Sequence, residues 1–410
     1  MRKLAAIALG VVTAIGGFVD IGELVTLPAA GATYRFALLW VLALSVVGAM
    51  VYAEMAGRIE LASQRAVFEV LRERLGFKLG VVPLLAVIAL NVLTLSAEIA
   101  GLAFVLQLVV DVSYLWLLIP IALGVLMFQW FGNWKLLEDV PSFLGLPLLV
   151  IPAALLFGGI GVDWGDAAHQ VIAPSLPTDD HLLYWTAALS IVGSVMSPYE
   201  WYFYSSGGRE EGWTLQDLMV NRCTVILGWS LGSLLAFGLM IGSAVFFYPQ
   251  SISPAHLSQT GLIAIAAFGK VGLTLFLLGA FGCVLGASIE VSQSAGQALS
   301  QFFGWSWGAS RPLRDVPKFT ASYTLAIVAA VIILYTGLDP IKITVVSMIF
   351  AVMALPFTFL PMLLVANDRT YMGDHRNGAF GNAVGVFFLA VLVIGAVAAL
   401  PLVVITGGGG

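Results

Sequence analysis

Eleven apolar runs, each long enough to cross a bilayer as a helix, limit what this chain can become. They cover about residues 5–30, 36–57, 79–109, 114–133, 140–160, 183–205, 222–248, 268–302, 319–337, 341–366 and 381–406. A transmembrane helix needs ~20 such residues. In hydrocarbon every backbone N–H and C=O must be satisfied within the segment, which selects helices. The chain is 60% hydrophobic and 10% charged, against ~25% charge in a soluble domain. The reading is an all-α polytopic membrane protein, one transmembrane domain over 1–410. Residues 252–267 read as a short helix on the outer side, ahead of the eighth span.

Lys and Arg orient the spans. With the N-terminus cytoplasmic, the inside set is Arg2, Lys3, Arg58, Arg65, Arg72, Arg74, Lys78, Lys135, Arg209, Arg222, Arg311, Arg314, Lys318, Arg369 and Arg376. Only Arg35, Lys270 and Lys342 fall outside. The loop 161–182, with Asp163, Asp166, Asp179 and Asp180, then lies outside, as does the C-terminus. Net charge is −5 with scattered basic residues, which gives nucleic-acid binding no support. Cys223 and Cys283 are far apart and inside helices, so neither a disulfide framework nor a thiolate metal site is read. His169, His181, His256 and His375 all fall in expected loops. The first run is too long and too charged for a cleavable signal peptide. Gly407–Gly410 reads as a flexible tail.

Against this background the carboxylates inside the runs stand out. Asp20-Ile21-Gly22-Glu23 sits in the middle of the first run. A charge at bilayer depth costs at least ~2.5–3.5 kcal/mol and marks an ion or substrate path. Gly22 is the expected helix break, freeing backbone carbonyls as ligands. Half a chain later Ser197-Pro198-Tyr199-Glu200 repeats the pattern. Pro198 is the second expected break, because proline removes a donor and leaves a carbonyl unpaired. Interrupted spans at matching places in two halves point to the site of an inverted-repeat transporter. Spans one to five and six to ten have opposite topology, since five is odd. The expected fold is therefore a LeuT-type five-plus-five inverted repeat with an eleventh helix: 1–160, 183–366 and 381–406.

Asp20 and Glu23, three apart, share a helix face and offer hard oxygen ligands. Glu98, in the middle of the third span, reads as a proton or ion relay. Glu200 reads as a third acid or a gate, and Glu290, among Ser288, Ser292, Gln293 and Ser294, as part of a water path. Glu54 and Arg58 suit a local ion pair. Arg72-Glu73-Arg74 reads as a solvated loop.

These residues resemble the NRAMP family of divalent-metal transporters. The run Gly17 to Glu23, with Thr26, Ala30-Gly31 and Leu38-Leu39-Trp40, is similar to the family's first helix, where the motif is DPGN. Arg72 to Gly76, Ala97-Glu98 with Gly101, Gly193 to Pro198 with Tyr202 and Ser205, and Ala295-Gly296-Gln297 follow in family order. Pro356-Phe357, Pro361, Asp368-Arg369, Met372-Gly373 and Arg376-Asn377 complete the likeness.

The departures fall in the site. Family members bind metal through the Asp and Asn of DPGN, a methionine of the sixth helix and a backbone carbonyl there. Asp20 matches the Asp. Glu23 stands for Asn, Ile21 for Pro, Ser197 for the methionine, and Ser194 at the carbonyl donor. Met348 stands where the tenth helix often has Gln. Leu95 replaces one acid of the proton route, Glu98 keeps the other, and Tyr199 and Tyr204 replace histidines. Tyr204 thereby joins Glu98, Glu200 and Glu290 as a candidate for the proton or ion pathway. Losing a thioether and gaining a carboxylate favours a hard cation. The expected function is transport of Mg²⁺ or Mn²⁺ by alternating access without strict proton coupling, as in NRAMP-related magnesium transporters. Asp20, Glu23 and Ser197 are the metal ligands, with the Ser194 carbonyl completing the ion site. The expected setting is a bacterial inner membrane, the chain a monomer without cofactor. The alternative is the same fold carrying a monovalent ion or small solute. A sensor role lacks a signalling domain. An enzyme lacks any Ser/His/Asp, Walker or HExxH pattern.

Overall fold

The computed structural model describes residues 10–14, 17–110, 112–176, 180–252, 254 and 257–406. Arg2, Lys3, Asp179, His256 and the Gly407–Gly410 tail, which the readings above invoke, lie outside them. The described residues contain helices and no strand. The helices are α1 (10–14), α2 (Ile21–Tyr34), α3 (Leu39–Ser63), α4 (Val67–Val110), α5 (Tyr114–Phe131) and α6 (Trp134–Gly145). After these come α7 (Val150–Phe157), α8 (Trp164–Ile172), α9 (His181–Val195), α10 (Pro198–Glu210), α11 (Leu218–Cys223) and α12 (Trp229–Phe246). The rest are α13 (Leu257–Phe303), α14 (Pro317–Leu334), α15 (Pro340–Asn367), α16 (Arg369–Met372) and α17 (Ala379–Thr406).

Among the described residues nine helical stretches are long and apolar enough to span a membrane. The two runs missing from that set are the first and the sixth. Among the described residues each is interrupted, the first at the non-helical residues 17–20 ahead of α2 and the sixth at Met196 and Ser197 between α9 and α10. The interruption accounts for the sixth run, and the first is described only from residue 10.

The third and eighth spans share a second feature. Each begins with a short helix joined through a glycine of positive φ, Gly76 (72°) in α4 and Gly269 (61°) in α13. A side chain at such a backbone is disfavoured by ~1–2 kcal/mol, so glycine permits the bend. The matching features occur five spans apart, as an inverted repeat requires. The second bend also bounds the short helix expected within 252–267, which starts at Leu257.

Three boundaries differ from the sequence reading. Arg72-Glu73-Arg74 is exposed, but it lies on the first segment of α4 rather than in a loop. Arg65 pairs with Glu73 at 2.5 Å, and Arg74 with Asp368 at 2.6 Å. The second span runs on to Ser63 and carries charge into its end. Arg58 is buried there because Glu54, the His375 carbonyl and Asn377 take its N–H groups at 3.0, 2.7 and 2.7 Å. The outer loop after the fifth span holds helix α8, with His169 inside it and Asp166 bonded to Arg35 at 2.9 Å. His181 is the first residue of α9, so two histidines are helical, neither of them within the interior of a span.

Candidate ion-binding site

The first interruption is built by its own acids. Residues 17–20 are non-helical and Asp20 caps α2 with extended backbone (φ −105°, ψ −176°). Asp20 Oδ1 accepts the Glu23 N–H at 3.0 Å, and Glu23 Oε2 accepts the Asp20 N–H at 2.7 Å. This is a reciprocal capping box, which needs the three-residue spacing seen in the sequence. It also places two carboxylates at the positive end of a helix dipole. Both are buried, at 3% and 2% exposure. The break therefore precedes Asp20 and is not at Gly22, as the sequence reading had it. Gly22 lies in the first turn of α2, where its missing side chain serves packing. A β-carbon there would stand 2.6 Å from the Met348 sulfur and 2.8 Å from Asp20 Oδ1.

Two further groups close on this helix end. The Ile21 N–H points at both oxygens of Glu98, 3.4 Å away. Tyr199 donates its hydroxyl to Asp20 Oδ2 at 3.0 Å, bringing the sixth span onto the first.

The second interruption falls at Met196 and Ser197, with Pro198 opening α10. Proline at the first helical position gives up an N–H that would be unpaired there anyway. The same residue deprives the Ser194 carbonyl of its i+4 donor. Ser197 Oγ donates to the Gly193 carbonyl at 3.0 Å, and Ser194 Oγ donates to the Ile191 carbonyl at 3.1 Å. Thr26 of α2 donates to Ser194 Oγ at 3.3 Å. Asp20, Glu23 and Glu98 are thus gathered at the first break, and Ser194 is joined to α2 through Thr26, three residues before Ser197 at the second break. Among the described residues no three His, Cys, Asp or Glu side chains converge as a metal cluster. A cation here would take carboxylate oxygens together with backbone carbonyl and hydroxyl oxygens.

Glu200, Tyr204 and Glu290 line a 690 Å³ cavity that reaches Gly17 and Phe18 beside the first break, where a β-carbon on Gly17 would stand 3.4 Å from Glu290 Oε1. Tyr204 donates to Asn221 Oδ1 at 2.8 Å. The cavity also exposes Glu138, Asp139 and Glu211, which the sequence reading missed, and one basic residue, Lys135. Glu138, Asp139 and Glu211 sit at the ends of spans, where charge is ordinary, so only an amphipathic start to the fifth span hinted at them. Five acids against one ammonium in a low-dielectric cleft concentrate cations. On the other side of the breaks the second and sixth spans are bonded to each other. Trp40 donates to the Tyr184 hydroxyl at 3.0 Å, and Tyr184 to the Ala37 carbonyl at 3.0 Å.

A profile of the "Natural resistance-associated macrophage protein-like" family matches residues 10–401. The divalent metal cation transporter MntH of Aeromonas hydrophila is 25% identical over 407 residues, covering 95% of this chain and 94% of the relative. That of Pectobacterium carotovorum is 24% identical, covering 95% and 92%. These relatives are transporters, not enzymes. The manganese transporter of Eremococcus coleocola matches at TM-score 0.73 and 17% identity, over 97% of this chain and 86% of that one. A Na⁺-coupled sialic acid symporter matches at TM-score 0.61 and 14% identity, over 96% and 89%. At these identities the solved structures speak for the fold alone, and that fold is the all-α, LeuT-type five-plus-five inverted repeat with an eleventh helix. With the profile matching almost from end to end, the chain belongs to the Nramp family of integral membrane proteins.

Proposed function

We propose that the chain moves a divalent cation across the membrane by alternating access, with Mg²⁺ or Mn²⁺ as cargo. The reading is supported by the relatives' names, divalent metal cation transporter and manganese transporter. The observation that carries it is the buried pair Asp20 and Glu23, held at the start of α2 against the break of the sixth span. Asp20 and Glu23 bind the ion, directly or through water. The Ser194 carbonyl, left without a helical donor, and Ser197 complete the oxygen set. The repeats 1–160 and 183–366 rock against each other, and 381–406 stands outside them. Glu200, Tyr204 and Glu290 line the way between the site and the cavity mouth. Glu98 takes the proton or screening role, and proton coupling is loose because Leu95 gives no second acid. The basic end of the bundle faces the cytoplasm of a bacterial cell, with the C-terminus outside, and the transporting unit is one chain.

The test is uptake into proteoliposomes with Mg²⁺- and Mn²⁺-sensitive dyes, with and without a proton gradient. Saturable uptake is expected, falling to the protein-free leak in Asp20→Asn. Full-rate uptake in Asp20→Asn sinks the site. No uptake of either ion by folded, inserted protein reassigns the fold to a monovalent ion or small solute.

A further inference from the structure

The replacement of the sixth-span methionine by Ser197 implies a site of oxygens only. The structure places sulfur back in it from another helix. Met196, next to the break, turns away: a β-carbon on Gly48 of α3 would stand 2.6 Å from its methyl and 3.0 Å from its sulfur. Met348 of α15 is fully buried and turned inward. A β-carbon on Gly22 would stand 2.6 Å from the Met348 sulfur and 2.8 Å from Asp20 Oδ1. The sulfur and that oxygen are therefore no farther apart than the sum of those two lengths. One cation bonded to oxygen at ~2.2 Å and to sulfur at ~2.3 Å or longer can bridge them with a small inward movement. The backbone of the same residue meets the other break, because a β-carbon on Gly193 of α9 would collide with the Met348 carbonyl oxygen. Two glycines, one beside each interruption, leave the room that Met348 fills.

We propose that Met348 is the soft ligand of the ion site and sets its selectivity. Thioether sulfur favours transition-metal and softer ions over Mg²⁺ and Ca²⁺. The inference rests on Asp20 and Glu23 being the cation site, and it narrows their cargo from Mg²⁺ or Mn²⁺ to Mn²⁺.

The test is titration of the purified full chain with Cd²⁺, Mn²⁺ and Mg²⁺, comparing wild type, Met348→Leu, Met196→Leu and Asp20→Asn. Leucine keeps the volume and removes the sulfur. Met348→Leu is expected to weaken Cd²⁺ at least ~10-fold and Mn²⁺ by less, leaving Mg²⁺ within ~2-fold. Met196→Leu is expected to change none of them. A Cd²⁺-to-Mg²⁺ preference unaltered in Met348→Leu, or altered instead in Met196→Leu, overturns the proposal. Since the readout is a ratio of two metals on one sample, a general loss of folded protein cannot mimic the expected result. Asp20→Asn reports separately on the site: binding of all three ions at wild-type strength there refutes the Asp20 and Glu23 assignment itself.

Discussion

Pro198 decides whether the Ser194 carbonyl is available. Only a residue with an N–H at 198 lets that carbonyl gain its helical donor, which requires Met196 and Ser197 to turn helical and α9 to run on into α10. Pro198→Ala is therefore expected to keep or raise the melting temperature while lowering cation uptake about tenfold, through loss of one oxygen donor. Thermal unfolding and dye uptake on the same preparation check this, and uptake at the wild-type rate would remove the carbonyl from the ligand set. Asp20, Glu23, Glu98 and Pro198 were legible in the sequence because each is costly within an apolar run unless something answers it. Met348 stood out only as a departure from the family pattern in the tenth span, with no hint that its sulfur would lie near Asp20. In an apolar helix a methionine looks like packing, and only the fold brings its sulfur to Gly22. Tyr199 was legible only as a departure from the family pattern, with no hint that its hydroxyl would reach Asp20.

Among elements, the number of spans was readable from hydropathy, but the helix ends were not. Ends depend on partners distant in sequence: Arg58 is answered by residues 375 and 377, which no local pattern reveals. The link between the start of α4 and the turn after α15 is of the same kind. Asp368 caps α16 and pairs with Arg74 at 2.6 Å. The Thr370 backbone N–H, then its hydroxyl and Arg74, hold the Asp368 carboxyl below the usual range. A carboxylate depressed in the folded state stabilises above its unfolded pKa of ~3.9 and loses that contribution as pH falls through the folded value. Asp368→Ala is thus expected to lower the melting temperature at pH 7, with the gap to wild type closing as pH drops below ~4. A constant gap across that window would show that the cap and ion pair contribute nothing through charge.

At the scale of the molecule, the described residues hold a large acidic cavity toward one end of the bundle and bonded helices toward the other. The cavity is bounded by the starts of α6 and of the seventh span and by much of α10, at the end that carries Arg65 and Arg74. At the far end Tyr184 of α9 is bonded to Trp40 and to the Ala37 carbonyl, tying the sixth span to the second. In a Cys223→Ser background, Thr224→Cys on the cavity wall is expected to react with a membrane-impermeant maleimide from the Arg65 face only. Labelling from the opposite face would contradict both this asymmetry and the orientation read from the basic residues. The fold was legible from the paired breaks, five spans apart. The cavity was not, because its acids come from three separate helices, α6, α10 and α13, and meet only in three dimensions. The capping box has a consequence for turnover. A carrier must travel back unloaded, and bare, facing carboxylates would make that leg slow. In this structure Asp20 and Glu23 each hold a backbone N–H at the start of α2, which offsets part of their charge from within the protein. On the proposed transport reading, such built-in partners lower the cost of the ion-free state through which a carrier has to pass to reset.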